Sequence, residues 1–327
     1  MKKQGTFVIS LDFELFWGMT DKTTLKEYGE HIRGVRVAIP SILSLFEKYS
    51  IHATWATLGM LAYKSKKELL ENLPTVIPVY SNKNLSIYEY LKTASLGEGE
   101  QEDPYHFGAS LIESIRKTPG QEIGSHTFSH YYCHEEGQTK EAFKEDLAAS
   151  IKILSTFQNP ITALVLPRNQ WNKDYLSVCA EQGITAFRGN QQSLLYRART
   201  ERQQTNPFVR ALRLLDQYLP ISGMNTHTDA YMSSFKPHNI PASMFLRPYS
   251  KTLSFFEPIR LWRIKNAMTH AAKTGTLFHL WWHPHNFGVH TEENLKTLEK
   301  ILIHAQHLTK KHGMRSASMS EVASRLS

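Results

Sequence analysis

The chain opens with a short apolar run, residues 7–11, which is followed at once by two acidic residues, Asp12 and Glu14. Phe, Val, Ile and Leu dominate the run, so it is predicted to be a buried strand whose end passes into a loop at the acids. In α/β proteins the carboxyl ends of the strands carry the chemistry. A carboxylate there loses hydration unless it is paired or bound to a metal. A helix N-cap beside a solvated acid is the alternative explanation.

Strand and helix patterns alternate along the rest of the chain. Further strands are predicted at 51–57, 121–126, 161–166, 184–188 and 276–282, with a short one after residue 315. Helices are predicted at 35–49, 139–157, 173–182, 257–273 and 291–312. This rhythm is typical of an α/β fold with a parallel, barrel-like sheet of six or seven strands. We expect a single domain over 1–327 with loop-rich insertions near 64–120 and 189–253, the second containing one helix near 206–218.

Composition narrows the class of protein. An apolar content of 41% and a charged content of 21% are typical of a globular protein. The chain has 38 Lys and Arg against 30 Asp and Glu, scattered along its length, which favours anionic substrates or surfaces over nucleic acid. No stretch is apolar enough to span a membrane or to form a signal peptide. With only Cys133 and Cys179 available for disulfides, these features predict a cytoplasmic protein.

Two histidines follow the strand at 121–126. If a helical turn begins there, His126 and His130, four residues apart, share one face and can bind one metal ion, whereas a pair of surface histidines is the alternative. Because this strand and the first one belong to the same predicted sheet, the histidines and Glu14 could form a site with open coordination positions. Open positions distinguish a catalytic metal centre from a structural one.

Two more strands end in residues that can carry chemistry. Arg168 follows the strand at 161–166 and could hold a neighbouring carboxylate ionised, although it could also be an ordinary solvated arginine. His283 ends the apolar strand at 276–282 and could donate a proton near neutral pH. Trp281 and Trp282 precede it and could offer faces to a sugar ring, although we expect at least one of them to fill the core.

These four segments together resemble the NodB-homology polysaccharide deacetylases, a family of carbohydrate esterases, over most of the chain. The resemblance implies that Asp12 is the catalytic base, that His283 is the general acid, and that the metal ligands are Glu14, His126 and His130. It also matches Arg168 and Trp171 to the family's arginine motif.

The chain departs from the family pattern at several positions. Glu14 replaces the usual aspartate ligand, Asn169 and Gln170 replace two prolines, and the acid that supports the general-acid histidine has no clear match. His285 remains an alternative to His283 as the general acid, although the spacing of the motif favours His283.

The resemblance further implies a distorted (β/α)7-type barrel and metal-dependent hydrolysis of an N-acetyl group. One divalent ion, most simply zinc, would bind water and the amide oxygen. Asp12, kept anionic by Arg168, would take the proton of the water, and His283 would protonate the leaving amine.

The expected substrate is an N-acetylated sugar of a surface-polysaccharide pathway of the O-antigen or lipopolysaccharide type, linked to a nucleotide or a lipid carrier. Residues in or next to the motifs are expected to contact the sugar, namely Trp17, Trp171, Trp281, Trp282 and His285. Four arginines could bind the phosphates of a carrier or lie in a solvated loop: Arg188, Arg197, Arg199 and Arg202. Two other functions stay open, a hydrolase of a cyclic amide or formyl group on the same fold, and a non-catalytic carbohydrate-binding relative.

Overall fold

The computed structural model describes residues 3–197, 200 and 206–327. The strands within these residues form one sheet in which every recorded pairing is parallel. In chain order they are β1 (Thr6–Phe13), β2 (Ala53–Thr57), β3 (Gln121–Ser125), β4 (Ala163–Leu164), β5 (Ala186–Phe187), β6 (His238–Asn239), β7 (Met244–Phe245), β8 (Leu277–Trp282) and β9 (Arg315–Ala317). Their order across the sheet is β6-β5-β4-β3-β2-β1-β8-β7, with β9 paired to the start of β1.

The sheet curls into a half-barrel. Its two edge strands, β6 and β7, are separated by only the four residues 240–243, so the edges lie close together in the chain. His279 of β8 donates a hydrogen bond from Nδ1 to the carbonyl of Ile240 at 3.0 Å, just after β6, and shares one from Nε2 with Ser10 Oγ of β1 at 2.8 Å. These contacts reach across the inside of the curl, and the fold is a NodB-like distorted (β/α) barrel.

Helices surround the sheet. They are α1 (Leu25–Lys48), α2 (Lys66–Glu71), α3 (Ile87–Leu91), α4 (Ala109–Lys117), α5 (Lys140–Leu154), α6 (Lys173–Glu181), α7 (Pro207–Asp216), α8 (Asp229–Ser233), α9 (Glu257–Thr274), α10 (Thr291–His312) and α11 (Met319–Leu326). The largest apolar core lies between the central strands and α1, α9 and α10. Because β1 is buried along its whole length, most of its residues are apolar, and Ser10 and Asp12 are buried polar positions near its end.

The predicted strands are all present, and the differences lie at their ends and in the second insertion. Helix α1 begins ten residues before its predicted start, because the Thr24 backbone N–H donates to Glu27 Oε2 at 3.2 Å and caps the first turn. The strands β6 and β7 lie in the segment that we predicted as loop. Each has two residues, which is too short for any periodic pattern to reveal.

Within the described ranges no helix combines the length and the apolar character needed to cross a bilayer. The parallel arrangement brings the carboxyl ends of β1, β3, β4, β5 and β8 to one rim of the half-barrel, and the residues singled out from the sequence meet there.

Candidate active site

A carboxylate and two imidazoles converge at the rim. Glu14 Oε2 lies 3.3 Å from His126 Nε2 and 3.0 Å from His130 Nε2. One ligand atom from each residue falls within 4.8 Å of the others, and all three side chains are buried. Burial would raise the pKa of Glu14, but His283, His126 and His130 outweigh it and hold this pKa well below its usual value.

The protonation pattern of this cluster fits a metal ion. His126 Nδ1–H donates to the Val165 carbonyl at 2.8 Å, which leaves the Nε2 lone pair facing Glu14. Burial, acting against the attraction of Glu14, lowers the pKa of His130 to about 4, so this imidazole is neutral at pH 7. The buried Glu14 Oε2 accepts no regular hydrogen bond. Three acceptors that face one another are stabilised by a shared cation, and nitrogen with carboxylate oxygen is a donor set that suits zinc.

The expected helical turn at His126 is absent. Residues 126–130 form a loop in which Thr127 and His130 have φ of 64° and 55°. Asp146 of α5 holds this loop, because it accepts hydrogen bonds from the Phe128 N–H at 2.8 Å and the Ser129 N–H at 3.0 Å. The imidazoles therefore converge through a fixed loop and not through helical periodicity, and Asp146 gave no signal in the sequence.

Asp12 is paired with an arginine other than the expected one. Arg188 Nη1 and Nη2 donate to Asp12 Oδ1 and Oδ2, each at 2.7 Å, and Arg188 Nε donates to Asn169 Oδ1 at 3.0 Å. Burial would raise the pKa of Asp12, but Arg188, His126 and His283 lower it below its usual value. The prediction that Arg168 holds Asp12 was wrong. The prediction that Arg188 binds a phosphate was also wrong, because its guanidinium is buried against this carboxylate.

Arg168 instead lies beside the cluster of Glu14, His126 and His130. It pairs with Asp21, and its guanidinium lies 4.2 Å from the centre of the Tyr132 ring. Tyr132 Oη donates to Asp21 Oδ1 at 3.4 Å and lies 2.8 Å from His130 Nδ1. This chain of contacts orients the His130 ring from behind, as partners beyond the ligands do in metal sites. The backbone of Arg168 has φ 54°, which turns its side chain toward Asp21.

His283 lies between the two carboxylates. Its Nε2 is 3.7 Å from Asp12 Oδ2 and 3.6 Å from Glu14 Oε1, and its side chain is 23% exposed to the cleft. Burial lowers the pKa of His283, although both carboxylates oppose this effect. His285 stacks behind it, with ring centres 4.9 Å apart, and is buried against Tyr28. Of the two candidates, His283 faces the cleft.

A cleft of about 380 Å³ opens above these residues. Trp281 lines it, packed against Phe245 and lying over the Arg188 guanidinium at 4.2 Å. Trp171 lines an adjoining cavity of about 410 Å³, where it packs against Phe187.

The other aromatic residues expected at the sugar do not reach the cleft. Trp17 is fully buried, and its indole N–H donates to the His106 carbonyl at 2.7 Å. Trp282 is fully buried beside Phe46 and Phe287, as expected for one of the two neighbouring tryptophans. The prediction that Trp17, Trp282 and His285 contact the substrate was therefore wrong, because all three side chains are packed inside the protein.

Cations dominate the outer wall of the cleft. Arg197, Arg210, Arg213 and Arg247 line it together with Lys22, whereas the acids in the described lining are only the deep pair Asp12 and Glu14. In the part of the chain that is described, Arg210 and Arg247 form no ion pair with a carboxylate. The sequence pointed to this region only through Arg197, since Arg199 and Arg202 lie outside the described residues.

Sequence reasoning named Arg188 but missed its contact with Asp12. The signal was present, because Arg188 follows an apolar strand directly, as Asp12 does, and charged residues at strand ends of one parallel sheet are neighbours. Ser10 was also missed; its hydroxyl accepts from Arg188 Nη1 at 2.9 Å and fixes the guanidinium under Asp12.

Comparisons with known proteins agree with this architecture. A candidate polysaccharide deacetylase from Mycobacterium smegmatis has the same fold with a TM-score of 0.60 and 12% identity, covering 100% of this chain and 92% of that one. A second candidate polysaccharide deacetylase, from Pseudomonas aeruginosa PAO1, has a TM-score of 0.55 and 12% identity, with 98% and 89% covered. Puue allantoinase has a TM-score of 0.52 and 11% identity, with 98% and 88% covered. At these identities the likeness concerns the fold alone.

Sequence comparison adds the family. No curated protein is significantly similar to this chain in sequence. Residues 33–187 match the family described as polysaccharide deacetylase, a range that includes His126 and His130. Asp12, Glu14 and His283 lie outside the matched range, and the fold brings them to the same histidines. The chain is therefore similar to polysaccharide deacetylases in the sequence of residues 33–187 and in its fold.

Proposed function

We propose that this chain is a metal-dependent hydrolase that removes the acetyl group from an N-acetylated sugar. One arrangement carries the proposal: His283 lies within 3.7 Å of both Asp12 and Glu14, and each of these carboxylates has a different set of partners. Arg188 holds Asp12, whereas Glu14 faces two imidazoles. Two buried carboxylates with different surroundings can perform two different roles.

Glu14, His126 and His130 would hold the ion, and zinc is the first choice for this donor set. When bound, a divalent ion supplies Lewis-acid activation of water and of the amide carbonyl. The protein contributes the fixed positions of the donors, since Val165 and Tyr132 orient the two imidazoles. The proposed ligands include no cysteine, and Cys133 and Cys179 are buried free thiols.

The other residues move the protons. Asp12, anionic because Arg188 neutralises it, accepts a proton from the attacking water. His283 donates a proton to the amide nitrogen as the C–N bond breaks, so that the amine leaves as a neutral group. The products are acetate and the free amino sugar. Asp12 Oδ2 and His283 Nε2 lie 3.7 Å apart, so the proposed base and the proposed acid can both reach one bound amide group.

The cleft supports a small, charged substrate. Trp281 and Phe245 offer aromatic surface beside the reacting groups, where a sugar ring can pack. Arg210 and Arg247 on the outer wall suit the phosphates of a nucleotide or lipid carrier. We therefore propose that the substrate is a phosphate-linked precursor of a surface polysaccharide of the O-antigen or lipopolysaccharide type. Two free cysteines suit a cytoplasmic setting.

Acetate release tests the proposal. The purified chain, loaded with zinc, is incubated with a UDP-linked N-acetylhexosamine, a polyprenyl diphosphate-linked one, a short chitin oligosaccharide and long chitin. We expect acetate from at least one phosphate-linked sugar, and weaker release after Arg210→Ala with Arg247→Ala. Release from long chitin alone contradicts the proposed carrier, and release of formate from a formyl substrate alone contradicts the proposed reaction.

A further inference from the structure

An exposed apolar surface lies beside the cleft. We call it the apolar patch, and it consists of Leu215, Leu219, Phe255, Phe256, Ile259 and Trp262, all of them exposed. Two neighbouring elements supply it, the end of α7 and the start of α9. They are joined by contact of the Tyr218 and Phe256 rings at 5.8 Å and by a buried ion pair between Asp216 and Arg263 at 3.2 Å.

The residues of the patch form a pattern. Phe255, Ile259 and Trp262 are spaced four and three residues apart, so they share one face as the chain enters and follows α9. Phe255 is 85% exposed and Trp262 is 57% exposed. The opposite face of α9 is buried in the core through Ile264 and Met268. A helix that is apolar on both faces has a second surface that is suited to a partner.

Helix α7 connects the patch to the cleft. Arg210, Arg213 and Leu214 line the cleft, and they lie on one face because they are spaced by three and four residues. Leu215 and Leu219 lie on the other side of this helix and its extension and are exposed. A partner that covers the patch therefore lies next to the outer, cationic wall of the cleft.

The charges around the patch are positive. Lys251 is exposed four residues before Phe255, and Arg210 is exposed on the cleft side of α7. The acids within 206–221 and 250–262 are Asp216 and Glu257, and both are paired with arginines. Two copies of such a surface would bring like charges together, whereas a bilayer with anionic headgroups complements both the apolar residues and the cations.

We propose that the apolar patch docks this protein on the surface of a membrane that contains anionic lipids. The aromatic and aliphatic side chains enter the boundary between headgroups and acyl chains, and Lys251 beside them contacts lipid phosphates. This binding goes beyond the proposed hydrolysis and does not depend on it, because no residue of the apolar patch lines the cleft or takes part in the reaction.

Vesicle sedimentation tests the docking. The full chain is mixed with phosphatidylcholine vesicles that either contain or lack phosphatidylglycerol. We expect sedimentation with the anionic vesicles, weakened by added salt. Phe255→Ser with Trp262→Ser should lower the partition coefficient between membrane and water by about ten-fold or more, because the variant lacks two large apolar side chains that the membrane would bury. The matched control is Val79→Ser with Ile303→Ser, which changes two residues of 70% and 51% exposure elsewhere and should bind as the wild type does.

Three outcomes contradict the proposal. The first is a wild-type chain that stays in the supernatant with both kinds of vesicle. The second is a Phe255→Ser, Trp262→Ser variant that sediments as the wild type does. The third is a wild-type dimer, seen by analytical ultracentrifugation without vesicles, that this variant abolishes, because the patch would then be an interface between copies. Circular dichroism and metal content of the variant, expected to equal those of the wild type, show that the fold and the metal site are intact.

Discussion

Gly18 is predicted to strengthen metal binding although it is not a ligand. It lies in the turn after β1, and a Cβ atom built on it would lie 2.1 Å from Glu14 Cδ and 2.3 Å from Glu14 Oε2. Real Cβ atoms essentially never approach another heavy atom closer than 3.0 Å, so the carboxyl carbon would have to move by about 0.9 Å. Metal–ligand distances tolerate changes of only about 0.2 Å. Gly18→Ala should therefore displace Glu14 from the metal position.

The expected loss is about 10- to 100-fold in metal affinity, which is the range measured when the support of a ligand is removed. This corresponds to about 1.4–2.8 kcal/mol of binding free energy. The backbone of Gly18 is not in the left-handed region, so alanine adds no backbone strain. Isothermal titration of the metal-free protein with zinc measures the affinity directly, and thermal unfolding of the metal-free variant shows that it folds.

Gly29→Ala provides the matched control. Gly29 lies in α1, and the nearest atom to an added Cβ is Tyr105 Cε1 at 3.2 Å, far from the ligands. This variant should bind zinc as the wild type does, because the added Cβ meets only the Tyr105 ring and no residue of the candidate metal site. Wild-type zinc affinity in Gly18→Ala would refute the reasoning that the turn positions Glu14 as a ligand.

Three further predictions concern the base, its arginine and a buried histidine. Asp12→Asn should keep its metal and lose about 100-fold or more in kcat, since Asp12 takes a proton and is not a ligand; unchanged turnover contradicts this role. Arg188→Lys should lower kcat by about ten-fold or more, and by more than Arg168→Lys does, because lysine cannot make the bidentate contact with Asp12. A larger loss in Arg168→Lys would indicate that Arg168, and not Arg188, holds Asp12 ionised. Burial lowers the pKa of His227 to about 4 in the folded chain. Between pH 6.5 and pH 4 the imidazole is therefore protonated in the unfolded chain and neutral in the folded chain, so acid favours unfolding. The free energy of unfolding should therefore fall as the pH is lowered from 6.5 to 4. Urea unfolding of His227→Gln should show a smaller fall over this range than the wild type, and an equal fall contradicts the assignment.

The fold could be predicted because the buried strands of a parallel sheet are recognisable in the sequence. Buried strands such as β1 and β8 are apolar runs, and charged residues at their ends must meet at one rim. This reasoning brought Asp12, Glu14, His126, His130 and His283 to the same place. In the structure Glu14 contacts His126 and His130, and His283 lies near both Asp12 and Glu14. The two-residue strands β6 and β7 could not be found in this way.

The partners of these residues were harder to predict. Arg168 and Arg188 both follow strands, but the backbone takes a different course at each, and the two side chains contact different acids. Positive φ at Arg168 and Asn169 turns the first arginine toward Asp21, whereas Arg188 continues from its strand to Asp12. The tryptophans show a second limit. Trp281 and Trp282 are adjacent, but side chains alternate along a strand, so one faces the cleft and the other the core.

Metal content tests the central claim most directly. The wild-type chain and His126→Ala are purified in parallel, dialysed against zinc and then against buffer, and analysed for metal by elemental analysis. The account predicts one equivalent of a divalent ion per wild-type chain and little in His126→Ala, because one of three protein ligands is lost. A full equivalent retained in His126→Ala, or none in the wild type, would contradict it.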